Sequence, residues 1–582
     1  MEKKNLAIII LAIVLAASGV GNVILGIMAG VLEKPEEKTT LVFGTTASPT
    51  DMDPHLCKDK TGRDIISQIC EGLYKFDVTD PSYPLLPVLA TDLLDVQGTA
   101  ENPELIIPLR QGVTFTDGTP FNAAAVKWNF DRLNYYLNYS GNQYLPAPFN
   151  VPLPSTINIT KVYVLFTVEG IPVINETIVD DTYIVRIKMN MPKASFINLL
   201  CSHSCFFHSP TSAKQQGKEL DYLTYANDDK LIGTGPFILD YYTTDVEVKF
   251  SANLDYWQTP PNCLPKIEEL TFLIIEDDIA LNTMIFAGDI DLYDEPNPAT
   301  FRSSLCCDLD ITLLEAGPAL ITHYMGFNGY MVNRTFREAI SYAINYSYII
   351  DVVLLDEAYR LKSPIPEGII MSNYSFNYPV FDRVYAQLVM QSMGFGTSFT
   401  TDAEWLDVAA AGGWPGTEHW NITAQTEGPR RRDIGYYVSN NLRYLGIDAP
   451  VVQISFWDII SCMEHDAGAL RRDLIPMYIH GRTPDYLDPE NCITPLYSNT
   501  STTWVNTYDY ELETWMLQGE LTVDPIARQA IYNDIQRKLV EELYFHVWIA
   551  TDKNYDVYQN YVKGWVPNAI ERIDLYPVYI EY

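Results

Sequence analysis

The sequence predicts an α/β protein of several compact units standing behind one apolar N-terminal segment. Three features carry that prediction. The chain has 582 residues, too many for a single hydrophobic core, so about three or four units are expected. Strand-like and helix-like stretches alternate from residue 41 to the C-terminus, the pattern of sheets covered by helices. Leu6 to Leu32 is a run of 27 residues without a charge.

That run comes first. At 1.5 Å per residue it reaches about 40 Å as a helix, more than the roughly 30 Å hydrocarbon core of a bilayer. A cleavable signal has a shorter apolar region. Residues 5–32 are therefore read as a retained transmembrane anchor and 33–40 as a polar linker. Lys3 and Lys4 on the short side place the remainder outside the cell, at its surface. No Cys precedes Cys57, so no thiol stands ready for a lipid. Asn-x-Ser/Thr triplets at Asn138, Asn158, Asn175, Asn333, Asn345, Asn373, Asn421 and Asn499 agree with an external glycoprotein.

Composition narrows the partners. Against 39 basic residues stand 74 acidic ones, a net charge of −35. Nucleic acid and anionic lipid surfaces need clustered Lys and Arg, so both are excluded. Nine cysteines permit disulfides and leave at least one without an intrachain partner. Cys201/Cys205 and Cys462/Cys492 are candidate pairs.

Along the chain, "LVFGTTASPTDMDPH" predicts a strand running into a loop, and "GRDIISQICEGLY" a helix with Ile65, Ile69 and Leu73 on one face. "LIIPLRQGVTFTDG" predicts two strands, the second carrying Val113 and Phe115. Asp117-Gly118 then supplies a turn rather than a catalytic acid. Asn122 caps a helix whose apolar face is Val126, Phe130 and Leu133. Residues 135–175 are rich in Tyr, Asn and Pro and predict surface insertion. "TYIVRIKM" and "VEVKFSANLDYW" are strands, and "IEELTFLIIEDDIALNTMIFAGDIDLY" is strand, helix, turn, strand. "FREAISYAINYSYIIDVVL" and "RVYAQLVMQSMGF" are amphipathic helices. The last third predicts helices at Asp433–Leu445 and Pro525–Leu543 around a strand at Ala449–Ile454.

The ordered pieces "DPH…EGLYKFD", "PLLPVLATDL", "IIPLRQGVTFTDGTPF", "IGTGPF", "NLDYW", "IFAGDIDLY", "MGFN", "REAISYAIN" and "PDYLDPEN" resemble the extracellular solute-binding proteins of family 5. These are the peptide and nickel class of ABC-importer receptors, and the resemblance runs from residue 41 to about 570. It implies a bilobed periplasmic-binding-protein-like fold, type II, of the large cluster with an extra subdomain. Lobe I would comprise 41–84, 217–307 and the return 536–582. The inserted subdomain would be 85–216, and lobe II 308–535. A hinged cleft buries a ligand and reports occupancy by closing.

The resemblance carries site residues only in part. In peptide-binding members an Asp in a "W-x-x-D-Y-x-(D/E)-P" segment grips the ligand ammonium; here "GRTPDYLDPEN" puts Asp485 there, followed by Tyr486. A ligand ammonium suits a desolvated carboxylate; the other reading pairs Asp485 with Arg482, which stands where the family has Trp. Trp457 matches a family Trp lining a side-chain pocket, or packs in the core. Tyr324 precedes the lobe-crossing strand and faces the cleft in the functional reading. Arg430 to Arg432 suit a ligand carboxylate, or form a solvated charge run. Gly233 and Gly235 of "GTGP" are expected to serve close packing. "CSHSCFFH" holds Cys201, His203, Cys205 and His208, zinc-binding types at a spacing that zinc sites do not ordinarily use; a disulfide or buried thiols are preferred, and no metal or cofactor is assigned.

The expected function is thus an extracellular receptor delivering oligopeptides to the membrane subunits of an ABC importer. The alternatives are the same fold binding oligosaccharides or another small solute, or a sensory or envelope protein without transport. No Ser/His/Asp set, metal motif or phosphate loop suggests an enzyme.

Overall fold

The computed structural model describes residues 39–582 except 94, 139–164, 212–230, 259–263, 295, 297, 299–300, 302–309, 427, 456–457, 460–461, 463–474, 499–504 and 506. The anchor expected over 5–32 lies outside the described residues, as does nearly all of the linker. Among the described residues no helix is long and apolar enough to cross a membrane.

The first strand, Thr40–Thr45, buries Leu41 and Phe43 and pairs in parallel with Glu269–Ile274 and Leu292–Asp294. Glu269–Ile274 continues into the antiparallel hairpin Phe237–Thr243 and Glu247–Ala252. A second group centres on Thr322–Phe327, whose six residues are all buried. It is flanked by Met477–Arg482 and His546–Gln559, and beyond Met477–Arg482 lie Ile422–Gln425 and Val451–Ile454 in parallel.

One strand joins the two groups. His546–Gln559 pairs through His546–Ala550 with Thr322–Phe327, and through Asp556–Tyr558 with Leu292–Asp294. Ile311–Pro318 also lies along its second half. A strand of 14 residues spans about 46 Å, enough to run through both groups.

A separate four-stranded antiparallel sheet lies in the 85–216 region, with Pro103–Pro108 and Ile184–Met189 at its centre. Their alternating burial turns Leu105, Ile107, Val185 and Ile187 inward. The helix Ala123–Asn138 packs against it, and Asn122 caps it by accepting from Ala124 N and Ala125 N at 3.0 and 3.1 Å. Asp117 is a turn former: it accepts from Thr119 N at 2.9 Å and Ser209 Oγ at 2.6 Å. The strand expected at Val113–Phe115 shrinks to one bridge, Thr114 with Pro120, because the turn closes too soon for a ladder.

Other expectations shift at their ends. The helix expected over Asp433–Leu445 begins earlier, with Pro429 in its first turn, and tightens into a 3₁₀ turn at Arg443–Leu445. The one over Pro525–Leu543 widens into a π-helical segment at Lys538–Leu543. The candidate disulfides do not form. Cys201, Cys205 and Cys492 are separate buried thiols; Cys201 Sγ turns to Ile197 O at 3.7 Å. Burial pushes the Cys201 and Cys492 thiols up to about 12, so neither is a ready nucleophile. Gly233 and Gly235 are packing residues: a Cβ on Gly233 would stand 2.0 Å from Ile69 O.

Candidate functional site

The helix Lys60–Ile69 starts from Asp59, which accepts from Gly62 N at 2.7 Å, and buries Ile65, Ile66 and Ile69. Arg63 leaves its opposite side and reaches a small cavity. The far wall is Thr483 to Leu487, which leaves the end of strand Met477–Arg482. Phe76, His203, Leu320, Ile570 and Arg572 complete the lining, and the cavity measures about 30 Å³. That is room for about two waters and none for a peptide.

Asp485 sits on this wall with Arg482 above it, Nη2 to Oδ2 3.4 Å. The contact is long for a charge-assisted bond. Arg482 is turned instead toward Asn491 O, which accepts from Nη2 at 3.2 Å, and Asn491 Oδ1 holds Asp485 N at 2.5 Å. The loop is thereby fixed through its own backbone. Across the cavity, burial opposes the Arg63 charge, but the carboxylates of Asp64, Glu571 and Asp485 outweigh it and hold the guanidinium above its usual range. Burial, with Arg63 nearby, pushes Arg572 down, and its Nη2 donates to Cys201 O.

The other expected residues are placed as follows. Tyr486 lines the same cavity, is buried, and has the Ser195 hydroxyl beside its phenol. Tyr324 is fully buried, stacked at 6.2 Å on His480 and edge-on at 5.2 Å to Trp548; its hydroxyl has no hydrogen bond among the described residues. It is not among the residues lining the cavity. Trp457 lies outside the described residues. Arg430 to Arg432 are answered within the protein: Arg430 by Asp552 at 3.0 Å, Arg431 by Gln425 at 2.6 Å, Arg432 by Asp433 at 2.9 Å. Among the described residues no three His, Cys, Asp or Glu gather as a metal cluster. His203 turns to Cys57 O at 3.2 Å, and His208 packs edge-on against Trp128.

A larger cavity of about 380 Å³ adjoins, sharing Phe76 and Arg572. Its size suits a small ligand, but its charges are answered. Glu71 accepts from Thr234, Tyr256 and Trp257 at 2.7–2.8 Å; Lys75 meets Asp574 at 3.2 Å, and Arg110 lies 4.6 Å over the Trp257 ring. Chemistry rather than volume therefore favours the smaller cavity.

Next to it is a sealed cluster. Lys193 Nζ meets Glu490 Oε1 at 2.5 Å, Ser195 Oγ donates to Glu490 Oε2, and Arg528 grips Asp488 with two bonds of 2.7 and 2.8 Å. Glu520 accepts from Thr494 at 2.9 Å and stands 4.0 Å from Lys193. The spacing along the chain hid this cluster, because Lys193 and Glu490 are 297 residues apart.

The arrangement brings a carboxylate, Asp485, and a guanidinium, Arg63, to one cavity. Comparisons agree with binding. The family pattern described as "Bacterial extracellular solute-binding proteins, family 5 Middle" matches residues 86–504. The glutathione-binding protein GsiB of Pectobacterium atrosepticum is 23% identical over 91% of this chain and 92% of its own length. GsiB of Escherichia coli K12 is 24% identical over 86% and 87%. Among solved structures, DppA of Helicobacter pylori in complex with the peptide STSA has a TM-score of 0.73 at 19% identity, covering 93% of this chain and 98% of that one. NikA of Brucella suis in complex with Fe(III)-EDTA gives 0.74 at 19%, covering 93% and 100%. The fold is that of the periplasmic binding proteins, and the chain belongs to the family 5 bacterial extracellular solute-binding proteins.

Proposed function

We propose that this chain closes on short peptides with a free amino terminus and hands them to its importer from the cell surface. As a family member it is the solute-binding component of an ABC importer and not an enzyme. In our reading lobe I (41–84, 217–307, 536–582, with 85–216 inserted) and lobe II (308–535) are the closing halves. The apolar segment 5–32 keeps the receptor at the membrane.

One observation carries the ligand class: Asp485 lines the cavity, which in this reading lies between the lobes, and its contact with Arg482 is 3.4 Å. A ligand ammonium at hydrogen-bond distance would be the better partner. Because the cavity is too small for a peptide, entry requires the lobes to part. Glutathione, which has a free α-ammonium and gives the curated relatives their name, belongs to the same chemical class.

Calorimetric titration with trialanine and with glutathione tests this. Asp485→Asn is expected to weaken both by about 2 to 5 kcal/mol, roughly 30- to several-thousand-fold. N-acetylated trialanine should lose a similar amount on the wild type and little more on the variant. Equal affinity of Asp485→Asn and wild type for free trialanine would point to a neutral solute such as an oligosaccharide. For the anchor, sequencing the N-terminus of protein from native membranes should find residues before Glu33; a chain starting near Glu33 would make it a cleaved signal.

A further inference from the structure

We propose that Asn175 and Asn333 carry N-linked glycans, and that Asn373, which bears the same sequence signal, stays bare. This rests on the reading that places the chain outside the cell, and it adds the residues at which that surface is modified.

An Asn-x-Ser/Thr triplet supplies only an acceptor amide and a hydroxyl two residues on. The fold decides which amide can hold a bulky, hydrated chain, because the first sugar needs a path into solvent. Asn175, Asn333, Asn345, Asn373 and Asn421 have described side chains, and they divide on that criterion.

Asn175 is exposed on the strand Ile174–Asp181. It is the extra residue of a bulge: Ile174 pairs with Met189 and Glu176 with Lys188, which leaves Asn175 out of the register. Its side-chain amide makes no hydrogen bond among the described residues. The strand is an outer one of the four-stranded sheet, and an outer strand presents unpaired backbone groups. A glycan at the bulge would cover that edge. Thr177, which completes the triplet, is only 1% exposed, so the sugar is joined before this strand packs.

Asn333 is exposed and caps the helix Arg334–Ala343 through Oδ1, which accepts from Phe336 N at 3.0 Å. Its Nδ2 makes no hydrogen bond among the described residues. Glycosylation joins Nδ2 to the anomeric carbon of an oligosaccharide carried on a lipid phosphate. The bond from that carbon to the phosphate oxygen breaks, the lipid phosphate leaves, and the amide gives up one proton. Oδ1 and one N–H remain, so the cap at Asn333 survives the modification.

Asn373 is the contrasting case. It is half-buried, and Nδ2 donates to Asn533 Oδ1 at 2.9 Å, toward the helix Pro525–Arg537. Its Oδ1 accepts from Ser375 N at 2.9 Å and from Ser375 Oγ at 2.6 Å, so the hydroxyl of the triplet is engaged as well. Asn345 and Asn421 are also half-buried, and their Oδ1 atoms accept from Tyr348 N and Thr423 Oγ1 at 3.1 Å. Neither Asn175 nor Asn333 lines either cavity, so glycans there leave the candidate site clear.

The test is peptide mapping by mass spectrometry on protein from the membranes of its own cells. The peptides holding Asn175 and Asn333 should carry glycan mass, and the Asn373 peptide should appear at its bare mass. Asn175→Gln should lose the adduct on the first peptide, whereas Thr177→Ser should keep it. The wild-type map needs no variant to fold. A bare peptide at Asn175 or Asn333, or a glycan on Asn373, would overturn the assignment. Protease added to intact cells reports the location separately. If it cleaves the ectodomain while both peptides are bare, the glycans fall and the surface reading stands. If the ectodomain is protected and both peptides are bare, the two readings fall together.

Discussion

Two clusters of charge bring distant parts of the chain together, and they are finished differently. At Lys193, Glu490, Asp488, Arg528 and Glu520 each charge meets a partner supplied by the protein, and all five residues are at most 6% exposed. At Arg63, Arg482 and Asp485 the side chains are 20–26% exposed, the Arg63–Asp64 and Arg482–Asp485 contacts are 3.5 and 3.4 Å, and the Arg63 Nε has no hydrogen-bond partner among the described residues. Buried pairs are tolerated only when completed, since a lone buried charge costs several kcal/mol. The first cluster is therefore a latch that belongs to the fold. The second is the cluster that meets the ligand in the proposed function.

The largest effect expected from this contrast is at the latch. Glu490→Ala strips Lys193 of its 2.5 Å partner and leaves it with Glu520 at 4.0 Å. We expect a loss of about 3 to 5 kcal/mol in denaturant unfolding, and a larger radius in small-angle scattering if the lobes part first. A loss under about 1 kcal/mol would make the latch an ordinary surface pair.

The next effect is a pH dependence. Burial, and then the charge of Glu490, push Glu520 up to about 7. An acid raised in the native state binds an extra proton there. Its contribution is complete below the unfolded value of about 4.5 and is lost as pH rises through about 7. Thermal stability should fall across that window by up to about 3 kcal/mol, and Glu520→Gln should flatten the profile. A wild-type profile rising between pH 5 and 7, and unchanged in the variant, would contradict the assignment.

The smallest effect is in the second cluster without ligand. Asp485→Asn removes a partly exposed pair with a long contact, so the ligand-free protein should change by under about 1 kcal/mol in the same unfolding measurement. A loss matching that of Glu490→Ala would show that Asp485 serves the fold.

What the sequence revealed and what it hid divide along the same line. The cap at Asn122, the turn at Asp117 and the close approach at Gly233 depend on neighbours along the chain or on one packed strand end, and all three were legible. Asp485 was singled out because it sits in an ordered set of motifs, and the fold puts it on a cavity wall. Arg63 was not: it is one polar residue on the outer side of an amphipathic helix, and only the fold brings residues 483–487 opposite it. The triple arginine at 430–432 drew attention through its charge density, yet each member is answered at home. Local chemistry is written locally, whereas a site made by two lobes is assembled from distant residues.

The most direct test compares melting of wild type, Asp485→Asn and Glu490→Ala with and without saturating trialanine. Ligand that binds only the native state raises the melting point in proportion to its affinity. Asp485→Asn should melt with the wild type in the absence of peptide and lose most of the peptide-induced rise. Glu490→Ala should melt lower in both conditions and keep a rise of its own. If Asp485→Asn melts as low as Glu490→Ala without peptide, yet keeps the full wild-type rise with it, then the second cluster is part of the fold and the account is wrong.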